Sequence, residues 1–143
     1  MRRYDKSDVA IELLDAALSE HLDHARHFAA YNLAAVSEEL MSKLLKCSGN
    51  TDSADLKIGA MKAMSKALGQ PEGEERIWRK ALFKLKNTIK HMDNETERYF
   101  EANIETSARQ KIGDAIGNLE RLGLSKSQQV RRFYEHRRRQ CAL

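Results

Sequence analysis

Apolar residues recur at three- and four-residue steps along most of the chain, and only a few segments interrupt them. From Asp8 to Cys47 there is no Gly or Pro. Val9, Leu13, Ala17, Leu18, Leu22, Ala25, Ala29, Leu33, Val36, Leu40 and Leu44 keep the helical step throughout. This predicts either one helix of about 60 Å or two helices with a break near Ser19 or Tyr31–Asn32. Ser7 before Asp8 reads as the N-cap. Ser48-Gly49-Asn50-Thr51-Asp52 reads as a stop, a turn and a restart. The next helix, roughly Ser53 to Leu68, carries Leu56, Ala60, Met61, Met64 and Leu68. Another starts near Glu74, and its Trp78, Leu82, Leu85, Ile89 and Met92 form the cleanest apolar stripe in the chain. After Asp93-Asn94 a helix is expected to run to about Leu122, turning Phe100, Ile104, Ala108, Ile112, Ala115, Ile116 and Leu119 inward. Ser125 with Gln128 resembles a capping box opening a last helix that contains Val130, Phe133 and Tyr134.

Composition strengthens the helical reading. There is one proline among 143 residues, seven glycines are scattered singly, and good helix formers dominate. The expected fold is all-α, a single-domain bundle of four to five mostly antiparallel helices, with residues 1–125 as the bundle domain and 126–143 as a basic C-terminal helix or tail. No run of about 18 apolar residues suggests a membrane span. Cys47 and Cys141 match no metal spacing and no disulfide framework, and Cys47 reads as a buried helix-end residue. A cytoplasmic protein is expected.

Charge is unevenly distributed. The net +4 arises in the last 18 residues, where Lys126, Arg131, Arg132, Arg137, Arg138 and Arg139 face one acid, Glu135. The other 125 residues hold 19 Lys/Arg and 20 Asp/Glu, so the body is near neutral. The basic helix suits a phosphate-contacting arm for RNA or another polyanion. Phe133 and Tyr134 would pack on the body or stack on bases.

Two segments look chosen for chemistry. His21-Leu22-Asp23-His24-Ala25-Arg26-His27 superficially suggests a carboxylate-bundle metal site. No second Glu-x-x-His exists, however, so neither metal nor cofactor is expected. In Lys86-Asn87-Thr88-Ile89-Lys90-His91, Asn87 and His91 share a helix face, and Lys84, Lys86 and Lys90 supply charge. An imidazole beside a cation and an amide suits metal-independent phosphodiester cleavage, with histidine moving a proton and the other groups stabilising the phosphorane.

Leu85-Lys86-Asn87-x-x-x-His91, between an apolar helix and Met92-Asp93, resembles the motif of the HEPN superfamily of small all-α domains. The usual form of that motif is Arg, four to six residues, then His. The resemblance implies a homodimer that binds or cleaves RNA, as in endoribonucleases of toxin–antitoxin or defence systems. Lys86, Asn87 and His91 would form the catalytic group. Lys84, Lys90, Arg131, Arg132, Arg137, Arg138 and Arg139 would contact nucleic acid. Lys86 departs from the pattern, because lysine is a point charge without the planar fork of arginine. Arg131 and His136 have the strict spacing, but a chain of this composition yields such a spacing by chance. The alternative is a non-catalytic helical dimerisation or nucleic-acid-binding module. In the family reading, His24 or His27 would line a groove near the site.

Overall fold

Asp5 rather than Ser7 begins the first helix. Its carboxylate accepts the Ser7 N–H at 2.8 Å, so α1 spans Lys6–Leu22 and Ser7 lies in its first turn. The structure, a computed structural model, describes residues 1–71 and 73–142. Among the described residues are α2 (His27–Cys47), α3 (Ser53–Ala67), α4 (Glu75–Lys90), a short 3-10 turn (Glu95–Arg98), α5 (Ile104–Arg121) and α6 (Gln128–Cys141), and no strand. The all-α class is as expected, with six helices in place of four to five.

The extra helix arises because the long periodic segment breaks at residues 23–26, at neither expected place. Ala25 takes a left-handed φ of 53°, and the Arg26 N–H reaches back to the Glu20 carbonyl at 2.9 Å. A left-handed alanine costs roughly 1–2 kcal/mol. Packing of α1 back along α2 sustains it, since an unbroken helix would leave both apolar faces in water. By contrast Gly49, Gly69 and Gly123, all at positive φ, end α2, α3 and α5 where the sequence indicated.

The core joins α1, α2, α5 and α6. Leu14, Leu18, Met41, Ile112, Ile116, Leu119, Val130 and Phe133 are all at most 2% exposed within it. Neighbours are mostly antiparallel, but α2 and α5, which make the most extensive contact, run parallel. Ala108 lies against Ala35, Lys111 faces Glu38, and Asn118 reaches the Glu38 carbonyl. On α2 the buried face is Ala34, Ala35, Glu38, Met41 and Leu45, rotated from the expected stripe. Val36 is exposed, and Leu40 and Leu44 are only half-buried. Cys47 is exposed as well.

The α3–α4 pair lies against this core. Trp78, Leu82, Leu85 and Ile89 are half-buried, and Met92 falls outside the helix, exposed. The expected helix from Asn94 begins only at Ile104, because the Asn103 side chain caps it by accepting the Thr106 N–H at 3.1 Å. Phe100 therefore does not turn into the core; it is 41% exposed and meets Phe28 edge-on, 6.1 Å between centroids. Ser127, not Ser125, caps α6, accepting the Val130 N–H at 3.2 Å and donating to Asp15 at 2.5 Å.

Candidate functional site

Topology gathers chemistry at one end of the bundle. The C-terminal ends of α1, α4 and α6 meet the N-terminal ends of α2 and α5 there: Ile89 and Ile104 pack on Ala30 and Tyr31, and Arg109 meets Gln140. All five histidines lie at this end, at positions 21, 24, 27, 91 and 136.

The motif of α4 is only partly assembled. His91 is the C-cap residue, in extended conformation, and its N–H donates to the Asn87 carbonyl at 3.0 Å. The side chains of Asn87 and His91 are exposed, with no hydrogen-bond partner among the described residues; Lys84 and Lys90 are exposed as well. Lys86 turns the other way. Its ammonium donates to Glu39 of α2 and is 18% exposed, and the pair pins α4 to the core. Lys86 and Lys43 together hold the Glu39 carboxyl down to about 2. The lysine expected to meet phosphate is thus engaged by a carboxylate.

The histidines of the α1–α2 turn behave differently from one another. His24 is exposed, while His21 is 8% exposed with its Nδ1 3.2 Å from that of His27. Only one of two facing Nδ1 atoms can donate, so one ring accepts. Burial, then the electrostatic influence of the neighbouring His27 ring, pushes the His21 pKa down. Gln140 bridges to the next group, bonding His136 Nε2 at 3.0 Å and accepting from Arg109 at 3.1 Å. Among the described residues no group of three His, Cys, Asp or Glu side chains is arranged to hold a metal ion.

The basic helix divides in two. Phe133 is buried and Tyr134 donates its hydroxyl to Glu120 at 2.8 Å, so both aromatics pack on the body. Arg132 forms a two-pronged bridge to Asp23, at 2.6 and 3.2 Å, which fastens α6 to the end of α1. Arg131, Arg137, Arg138 and Arg139 are exposed and make no ion pair among the described residues.

One constellation was missed in the sequence. A cavity of about 240 Å³ lies between α2, α3, α4 and α5, with Glu38, Lys111, Tyr31, Lys57 and Asp114 in its wall. Lys57 is paired with Asp114 at 2.6 Å. Lys111 lies 3.7 Å from both Glu38 and Asp114, beyond hydrogen-bonding distance, although it is 12% exposed and Glu38 7%. Burial pushes the Glu38 carboxyl up in spite of Lys111. The available signal was Glu38 on the same helical row as Ala34, Met41 and Leu45.

Compared with protein-family models, curated proteins and solved structures, the chain matches none. Among the described residues, no helix is long and apolar enough to cross a membrane.

Proposed function

We propose that this chain is a HEPN-like RNA-binding protein that cleaves RNA without a metal at the histidine-bearing end. The observation that carries this reading is the gathering of five imidazoles at that end, beside the exposed Lys84, Lys90, Arg131, Arg137, Arg138 and Arg139. Imidazole is the side chain that exchanges protons near neutral pH, and the cations attract the phosphate backbone. His91 takes the proton of a ribose 2′-hydroxyl. The 2′-oxygen then attacks the adjacent phosphorus, the bond to the 5′-oxygen breaks, and a 2′,3′-cyclic phosphate remains. A second imidazole returns a proton to the leaving oxygen. Asn87, one turn before His91, donates to the phosphorane oxygen. In this reading the protein acts in the cytoplasm as a homodimer, the second copy supplying the second imidazole.

The Lys86–Glu39 pair favours a second reading, binding without cleavage, because it engages the cation expected at the Arg position of the motif. Incubation of purified protein with RNA in EDTA separates the two. The first expects cyclic-phosphate products that disappear in His91→Ala; activity surviving that change refutes it. Retention of RNA with no cleavage by the wild type supports the second.

A further inference from the structure

The cavity between α2, α3, α4 and α5 contains two charged groups that the fold leaves without hydrogen bonds. Lys111 is a nearly buried ammonium with three donors. Its nearest acceptors, Glu38 and Asp114, are each 3.7 Å away, and its third neighbour is the Phe83 ring at 5.9 Å from the centroid. The Glu38 carboxylate has no donor within hydrogen-bonding distance among the described residues. Both groups face the cavity, so a ligand seated there supplies the hydrogen bonds that ion pairs at 3.7 Å do not.

The order of these groups is informative. An ammonium beside a carboxylate offers donor, acceptor, acceptor along one edge. Its complement is an acceptor followed by two donors, the O6, N1–H and N2–H edge of guanine. Adenine offers a donor where Lys111 needs an acceptor. Leu82, Leu85, Phe83 and Ala54 make part of the remaining wall apolar, a surface on which a flat base packs, and Ser107 and Gln110 are among its polar members.

A second observation points the same way. An open groove of about 840 Å³ shares Lys57, Leu82, Gln110 and Asp114 with the cavity and runs on to Arg109 and Arg137. Arg109 is half-buried and steadied by Gln140; Arg137 is exposed without an ion pair among the described residues. Guanidinium groups at the mouth of a base-sized cavity lie where a nucleotide carries its phosphate.

We propose that this cavity binds a guanine base, edge-on to Glu38 and Lys111, with its phosphate over Arg109 and Arg137. The base comes either from a free guanine nucleotide or from an unpaired position in RNA. Only the RNA source rests on the function proposed above.

The test is calorimetric titration of the full chain with GMP and AMP, and with single-stranded RNA differing in one guanine. Wild type should favour guanine by about tenfold or more, the scale of one two-pronged base contact. Glu38→Gln, which turns a donor toward the base, should abolish the preference while the helical circular dichroism is retained. Arg137→Ala, at the surface, should weaken both nucleotides alike and keep the preference. Preference for GMP by a protein that does not bind RNA upholds this inference and ends the RNA reading. Preference seen only in RNA identifies the source as polymer. Equal binding of the bases in both arms, binding of neither, or a preference unchanged in Glu38→Gln overturns the proposal.

Discussion

Replacing Asn118 with alanine should detach the start of α3 at a cost of about 2–4 kcal/mol. Asn118 is fully buried on α5. Its Oδ1 accepts the Ser53 N–H at 2.8 Å and the Ser53 hydroxyl at 2.9 Å, and its amide donates to the Glu38 carbonyl at 3.3 Å. After truncation the three groups fare differently. The Ser53 hydroxyl keeps the Asp114 carbonyl at 3.0 Å and the Arg121 guanidinium at 3.0 Å. The Glu38 carbonyl stays within the hydrogen-bonded turns of α2. Arg121 loses a 3.4 Å bond to Oδ1 but keeps the Ser53 hydroxyl, so the Ser53 N–H is the donor left without a partner, at a cost of roughly 1–3 kcal/mol. The lost packing of a small side chain adds about 1 kcal/mol. For a chain of this size, 1 kcal/mol shifts Tm by roughly 3–4 °C, so a fall of about 6–16 °C is expected. Ser53→Ala keeps the N–H bond and should cost about 1 kcal/mol. Denaturant titration of both variants and the double variant measures the coupling of the two side chains, expected at about 0.5–1 kcal/mol because the hydroxyl keeps its other two partners. Amide exchange should speed up first in α3. A loss below 0.5 kcal/mol for Asn118→Ala would refute the reasoning, as would uniform exchange through all helices.

Two further predictions concern pH. The Glu39 carboxyl is held at about 2 against an ordinary 4.5, so its pairs with Lys86 and Lys43 stabilise the fold fully above pH 4.5 and fade as pH falls toward 2. Solvent screening keeps the effect near 1 kcal/mol, and NMR titration of Glu39 in Lys86→Met should return it toward its ordinary value. The His21 pKa lies below 6.5 because burial and His27 outweigh Glu105, with His136 and Arg109 acting in the same direction. The fold therefore prefers neutral His21, and that contribution is present above pH 6.5 and lost as pH falls through the depressed value. Unfolding at pH 7.5 and 5.0 should show a smaller loss in His21→Phe than in wild type; an identical loss would remove His21 as the cause.

Much of the helical layout was legible because its causes are local. Gly49, Gly69 and Gly123 supply left-handed residues that end helices, and apolar steps of three and four define a buried face. The break at Ala25 was not legible, since a left-handed alanine is locally unfavourable and only the packing of α1 on α2 sustains it. Phe100 fits a helical pattern by spacing, yet the Asn103 cap, four residues before Ser107, starts the helix after it. For the candidate site, the sequence identified Lys86, Asn87 and His91, and it did not reveal that Lys86 faces Glu39, a partner 47 positions away.

By itself the sequence determined that this chain is helical, where most of its turns lie, and that basic charge collects near the C-terminal end. Those properties depend on neighbours within about one helical turn. Tertiary structure decided that α2 and α5 run parallel, that five histidines share one end, and that Glu38 and Lys111 face each other across a cavity. Such outcomes depend on helix rotation and crossing. A shift of two positions turns a helix by about 200°, enough to exchange Glu38 for Val36 or Leu40 on the buried face, and only packing against the other helices selects among them.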